Sequence, residues 1–373
     1  MSNLTFDSGF LLLKFSEDQG LQILYFFLFL GVYLITLLGN LSVIIAIAVD
    51  HHLHTPMYFF LMNLAIIDIG SISSIVPKSM FNSLMNNNFI SYFECAIQVF
   101  FLLFFDASEI SLLTVMAHDR HVAIYNPLQY EIIMNSGTCI KIAAIVWISG
   151  FLYAILHTSN TFSITFCSNK VDQFFCEIPK LLKLSCSDLY LVEVILVVMS
   201  ATLGVGCFIF IIISYVWIFR AVLQIPSVQG RQKALSTCLP HLIVVSVLIC
   251  VAFFVYAQPP SNSSSYLDLV FSIIYVIFPP MLNPFIYSIR NKEFQNALCK
   301  FLNLRQIFHT FSSCCPPAAH AAGTDSSSAE ADVVMPESDS EEVGQDLMAE
   351  VEIHQAPSEP PEAPISEEKE EEP

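Results

Sequence analysis

Residues 116–130 read MAHDRHVAIYNPLQY, and they follow a long, mostly apolar run. An acid and a base, Asp119 and Arg120, therefore stand side by side at the end of a segment greasy enough to lie in lipid. Ionisable groups near a bilayer edge need a partner or access to water. The pair is either an interface anchor or a working part, and the rest of the chain decides which.

The chain has 373 residues, 55% of them hydrophobic and only 13% charged, where a soluble domain carries about a quarter charged. Mean hydropathy is +0.63 despite a very polar tail. That combination points to a membrane protein. The net charge of −18 is local. Residues 303–373 hold 17 Asp and Glu against two basic residues, a balance of −15, which leaves −3 for the first 302. The acidity belongs to the tail, and no nucleic-acid partner is expected. The first twenty residues lack the basic start, short apolar core and small-residue cleavage site of a signal peptide, so the first long apolar run is expected to insert as an uncleaved anchor.

Seven runs are long enough to cross about 30 Å of hydrocarbon, which takes about 20 helical residues. They lie near 21–49, 57–80, 96–118, 140–160, 193–222, 234–257 and 267–290. Helices are expected because a lipid-embedded backbone must satisfy its own hydrogen bonds. The fold class is thus an all-α seven-transmembrane bundle over 21–290, preceded by an extracellular segment 1–20. Lys and Arg number ten on the side of the 50–56, 119–139 and 223–233 loops and the tail, against five on the other. This places the N-terminus outside and the C-terminus in the cytoplasm. A glycosylation triplet at Asn3 and another at Asn262 agree with that orientation. Cys95, Cys167, Cys176 and Cys186 fall in or beside the proposed outer loops, where oxidation is permitted. Four cysteines allow three pairings.

Residues 291–302, NKEFQNALCKFL, read as a short amphipathic eighth helix, with Phe294, Leu298, Phe301 and Leu302 on one face. Beyond it Cys314 and Cys315 are either palmitoylated or an unmodified pair. From about residue 310 Ser, Pro, Glu and Ala dominate, and 303–373 is expected to be a disordered acidic cytoplasmic tail.

Six stretches then occur in order, one per expected place: Gly39-Asn40, LHTPMYFFLMNLAIIDI at 53–69, the MAHDRHVAIYNPLQY run, Ser214-Tyr215, KALSTCLPHLIVV at 233–245 and PMLNPFIYSIRN at 280–291. Together they resemble the olfactory (odorant) receptors, a family of rhodopsin-like G-protein-coupled receptors, over roughly 5–305. The chain departs from that pattern at His118 and His121, where the family usually has Tyr, and at Tyr125, where it usually has Cys. Leu235 and Pro240 also differ from it, and the acidic tail is foreign to it.

The resemblance implies roles for particular residues. Arg120 becomes the switch, neutralised at rest by Asp119 and, once the sixth helix swings outward, available to a heterotrimeric G protein of the stimulatory, olfactory type. Tyr215, His241, Asn283, Pro284 and Tyr287 are its expected partners in switching. Pro284 removes a helical hydrogen bond and bends the seventh span. Asp68 and Glu109 are expected to form a polar core with Asn40 and Asn283. Two nearby buried carboxylates need a cation or a retained proton, so a sodium ion is the one cofactor expected; a hydrogen-bonded packing cluster is the alternative. Asp106, on the Glu109 face, either meets a ligand amine or joins that network. The odorant pocket is expected to be mostly apolar: Leu102, Leu103, Met199, Leu203, Ile249, Ala252, Ile273 and Val276, with the Tyr256 hydroxyl for orientation. The resemblance also selects the pairings Cys95–Cys176 and Cys167–Cys186.

The expected function is an odorant-activated receptor of the plasma membrane that works among lipid, with arrestin as a further partner. The alternative is a receptor of the same fold for a small non-odorant amine. A transporter is disfavoured because no motif recurs as a second copy. An enzyme is disfavoured because no zinc-spaced set or nucleophile elbow occurs; His51, His52 and His54 in HHLH read as a polar turn.

Overall fold

The structure is a computed structural model that describes residues 9–14, 16, 18–186, 190–224, 226–256 and 266–290. The Asn3 and Asn262 triplets, the 291–302 helix and the acidic tail lie outside the described residues, as do the side chains of Ile249, Ala252 and Tyr256.

Seven long helices run through the described residues: α1 Gln19–Val49, α2 Pro56–Met85, α3 Tyr92–Tyr125, α4 Ser136–Phe162, α5 Tyr190–Gln224, α6 Val228–Tyr256 and α7 Tyr266–Arg290. The first five are long and apolar enough to cross a membrane, while α6 and α7 carry shorter apolar stretches at Cys238–Leu248 and Ile273–Tyr287. Each helix starts before its apolar run, while α6 stops one residue short of 257, because local chemistry sets several of the ends. Asp18 caps α1 by accepting from Leu21 N at 3.0 Å. Ser91 and Glu94 form a reciprocal capping box at the start of α3. Pro56 opens α2, and Asn86 ends it in the left-handed conformation.

Large apolar side chains such as Leu24, Leu38, Ile145 and Val198 face outward, as lipid-contacting surfaces require. Where helices meet closely, small or polar residues lie between them. A Cβ on Gly150 of α4 would stand 3.0 Å from the Phe104 carbonyl oxygen of α3, and Trp147 Nε1 donates to Asn63 Oδ1 of α2 at 3.0 Å. A Cβ on Gly39 of α1 would stand 2.9 Å from Pro284 Cγ, so α1 packs directly on the proline of α7.

At the end we call outer, two disulfides close the bundle: Cys95–Cys176, with Cα atoms 5.6 Å apart, and Cys167–Cys186, at 5.7 Å. These are the two pairings the resemblance selected. Gln98 adds to the first by accepting from Cys176 N at 2.9 Å. Strand β1, Phe10–Leu11, pairs antiparallel with β2, Phe89–Ile90, in the register Phe10 to Ile90. On its other side, Leu11 bridges to Lys170 of the α4–α5 loop.

Candidate functional site

Three groups of side chains occupy the bundle from inner to outer end, and α3 contributes to each. At the inner end Asp119 is 1% exposed, and its Oδ2 lies 3.2 Å from an Arg120 guanidinium nitrogen. Its Oδ1 accepts from the Tyr130 hydroxyl at 2.8 Å. Tyr130 opens a single helical turn, Tyr130–Ile133, in the α3–α4 loop. Burial, and then the neighbouring Asp119 charge, hold its phenol well above the ordinary tyrosine range, so it remains a donor. The motif alone gives Tyr130 no role. Its signal was its place as the last residue of the motif, the second of the two tyrosines there.

Behind Arg120, His241 of α6 bridges two helices. Its Nε2 lies 3.1 Å from the Leu113 carbonyl of α3 and its Nδ1 lies 2.8 Å from the Tyr215 hydroxyl of α5. A carbonyl only accepts, so Nε2 carries the proton and, in the neutral ring, Nδ1 accepts from Tyr215. The expected switch residues Tyr215 and His241 are thus brought together and tie α3, α5 and α6. The Tyr287 hydroxyl is buried without a hydrogen-bond partner among the described residues. His121 stacks on Tyr125 with ring centroids 5.4 Å apart and an 11° interplanar angle. Two of the departures from the family pattern therefore pack against each other.

In the middle, Asn283 Nδ2 of α7 lies 3.1 Å from both carboxylate oxygens of Asp68, and Asn40 donates to the Pro280 carbonyl at 3.0 Å. Glu109 is 5% exposed, lies in electrostatic range of Asp68, and leaves Oε1 without a partner among the described residues. Asp106 accepts from Tyr275 at 3.3 Å. A cavity of about 20 Å³ opens here, with Ser71, Asp106, Glu109 and Tyr275 in its walls; that is room for one water or a small ion. Asp106 shares this cavity with Glu109, as a member of the polar core would. The carboxylates of Asp106 and Glu109 and the hydroxyls of Ser71 and Tyr275, with one Glu109 oxygen unpartnered among the described residues, are a hard-oxygen wall that fits a sodium ion, while Asp68 and Asn283 lie outside that wall.

At the outer end Leu102 and Val276 are buried and Ile273 packs beside them, in a cluster with Ile75, Phe174 and Phe175. Leu103 instead faces a second cluster, with Cys95, Val99 and Ile164. Met199 and Leu203 require correction: they are 64% and 68% exposed and point away from the bundle. The inward face of α5 instead carries Glu193 and Ser200. Glu193 is fully buried and pairs with His157 Nδ1 of α4 at 2.5 Å, and His157 Nε2 lies 3.0 Å from Ser200 Oγ. The physical reason is the cost of a carboxylate in hydrocarbon. A helix apolar on every side rotates to bury its one acid, and Met and Leu lose nothing by facing lipid. No motif gives this pair a role; its signals were Glu193 at the start of the 193–222 run and His157 within the 140–160 run.

Known proteins agree with this arrangement. A family profile described as olfactory receptor matches residues 29–305. The human olfactory receptor 14A2 is 47% identical over 303 residues, covering 81% of this chain and 96% of its own length. The human olfactory receptor 14A16 is 48% identical over 299 residues, 80% of this chain and 96% of its own length. The gorilla olfactory receptor 1G1 is 45% identical over 306 residues, with coverages of 82% and 98%. With the disulfide-tied helical bundle and its Asp119–Arg120 pair, this likeness settles the classification: the chain belongs to the olfactory receptor family, whose members are membrane receptors and not enzymes.

Proposed function

We propose that the protein binds a small, mostly apolar odorant at the outer end of the bundle, beside Leu102, Ile273 and Val276, and thereby activates a heterotrimeric G protein of the stimulatory, olfactory type. The N-terminus lies outside the cell and the C-terminal tail in the cytoplasm, with the receptor in the plasma membrane and arrestin as a later partner at the inner face. The observation that carries this reading is the closed inner end. Arg120 is held by Asp119, Asp119 by Tyr130, and α6 by the Tyr215–His241–Leu113 bridge. Contacts of this kind define a resting state that has something to release. An outward movement of α6 breaks the His241 bridge, and Arg120 and Tyr215 then line a cavity for the G protein. An odorant that fits the open arrangement better shifts the population toward it.

Asp68 and Glu109 would share a sodium ion, with Glu109 and Ser71 in the wall of the central cavity and Asp68 reached by a small shift of the Asn283 amide that now bonds it. Bound there, the ion supplies the positive charge that lets two buried carboxylates remain ionised together. The pairing of Asp106 with Tyr275 favours a network role over a contact with a ligand amine. An Asp106→Ala receptor is therefore expected to keep its response to any activating amine.

The test is a screen of the expressed receptor against odorants with a cyclic-AMP reporter, followed by nucleotide exchange on purified G protein. An odorant that demonstrably binds the purified receptor and accelerates exchange on no heterotrimer would refute the proposal.

A further inference from the structure

We propose that Gly9–Leu13 is an autoinhibitory strap: it clamps the α4–α5 loop so that Phe174 and Phe175 plug the outer end of the bundle, and a molecule reaches Leu102 from that end only when the strap lets go. The strap lies between two loops and bonds to both. Leu12 N donates to the Asn88 carbonyl at 2.8 Å, and Asn88 Nδ2 returns a bond to the Leu12 carbonyl at 3.0 Å. On the other side Leu11 N donates to the Asn169 carbonyl at 2.7 Å, Val171 N to the Leu11 carbonyl at 2.9 Å, and Leu13 N to the Gln173 carbonyl at 2.8 Å. Residues 169–173 are thereby fixed immediately before the two phenylalanines.

Side chains reinforce the backbone. Phe10 and Leu12 are each 3% exposed and pack into the cluster around Cys95, Ile90 and Cys176. Leu13 reaches the other cluster, which contains Leu102, Val276, Phe174 and Phe175. The strap therefore touches both the lid and the wall beneath it. Gly9 makes the entry: its φ is +134°, and a Cβ there would collide with the Ile90 carbonyl oxygen. No L side chain fits that position without moving the strap.

The strap also has a feature that eases release. Beneath it a second cavity of about 20 Å³ is walled by Leu13, Lys14, Gln22, Asn82 and Ser83, among others. Gln22 is 4% exposed, yet its Oε1, like the Asn82 Oδ1, lacks a hydrogen-bond partner among the described residues. The closed cavity has room for about one water between them, and opening gives both acceptors to bulk water, which offsets part of the cost of exposing apolar surface. The Cys167–Cys186 and Cys95–Cys176 disulfides pin the two ends of residues 168–175, so release lets the segment between them bow outward while the loop stays tethered.

The claim takes Leu102 as pocket wall, from the odorant reading, but its test needs no odorant, so the two fail separately. The full-length receptor, purified in lipid nanodiscs, carries Leu102→Cys and is labelled by a water-soluble, membrane-impermeant methanethiosulfonate, with the unsubstituted receptor as background. Labelling is expected to be slow, and to accelerate about tenfold when Gly9→Val or Leu12→Ala is added. Backbone amide exchange is read in parallel and should speed up together in 11–13 and 171–173. Unchanged labelling in both variants, with faster exchange at 11–13, overturns the proposal. So does labelling of the intact-strap receptor as fast as that of a cysteine on an exposed loop. If neither variant folds, exchange in the unsubstituted receptor decides. A shared opening rate for the two segments supports the strap, and 171–173 staying protected long after 11–13 have exchanged rejects it.

Discussion

Replacing Tyr130 by Phe removes one hydroxyl and leaves the ring in place. The bond lost is 2.8 Å long and ends on a carboxylate that is 1% exposed. Hydrogen bonds to charged groups contribute about 1.5–3 kcal/mol. Tyr130 itself is half-buried, so the low end of that range applies, about 1.5 kcal/mol. Asp119 keeps Arg120, and no charge is orphaned. If the bond exists only in the resting arrangement, its loss shifts the resting–active equilibrium about tenfold, since about 1.4 kcal/mol is a factor of ten. A receptor active about 1% of the time would become active about 10% of the time. The assay is odorant-free cyclic-AMP signalling, normalised to surface receptor, with nucleotide exchange in isolated membranes as the direct check. The phenol sits far above its ordinary range, so it is protonated throughout the cellular span and the effect should be the same from about pH 6 to 8. Basal signalling within twofold of the unsubstituted receptor would show that Tyr130 is a spectator of the Asp119–Arg120 pair.

Further outcomes follow from the packing. Glu193→Ala or His157→Ala alone orphans a buried polar group and should cost about 3–5 kcal/mol. The double substitution should cost clearly less than the sum, as read from thermal unfolding of purified receptor. Gly150→Val drives a side chain into Ser108 and the Phe104 carbonyl at the α3–α4 crossing and should cost about 1–3 kcal/mol or more, measured as lost surface expression and a lower Tm. Exchanging sodium for N-methylglucamine should lower the Tm of the unsubstituted receptor; a tenfold excess of ion over its dissociation constant corresponds to about 1.4 kcal/mol. The difference should vanish in Asp68→Asn, and its persistence there would remove sodium from Asp68.

The first five spans were legible because hydropathy sets where lipid begins and ends. The expected run 193–222 and the helix Tyr190–Gln224 differ by two or three residues at each end, whereas 96–118 extends to Tyr92–Tyr125, because the Ser91 capping box that starts that helix is not hydropathic. The rotation of α5 was not legible. Met199, Leu203, Val197 and Ile211 are equally apolar, and a helix greasy on all sides has no stripe to read. The weight assigned to Met199 and Leu203 came from family position, whereas the turn of the helix follows Glu193. The strap was invisible for a related reason. GFLLLK, residues 9–14, neither alternates like a strand nor repeats like a helix, and its partners lie about 80 and 160 residues away, beyond any local pattern. Tyr130 escaped because its partner is eleven positions back, across a turn that no periodicity describes.

The outer and inner ends are linked through α3. Along it Cys95 and Gln98 meet Cys176 of the outer loop, Leu102 the outer apolar cluster, Asp106 and Glu109 the polar core, Leu113 the His241 bridge, and Asp119 both Arg120 and the Tyr130 cap. From Leu102 to Asp119 the axial distance is about 26 Å at 1.5 Å per residue. No side chain reaches across it, so coupling along α3 passes through a change in how the helix sits among its neighbours, α6 included. That makes the Tyr130→Phe receptor informative twice. If a tenth rather than a hundredth of the receptors rest in the odorant-competent arrangement, the apparent dissociation constant of an odorant must fall about tenfold, with no atom changed near the pocket. Reciprocity requires the G protein to gain affinity for the odorant-bound receptor by the factor that the odorant gains from the G protein. Raised basal signalling with unchanged odorant potency would mean that the inner cap opens without moving α3, and the helix would then be a strut between two independent sites.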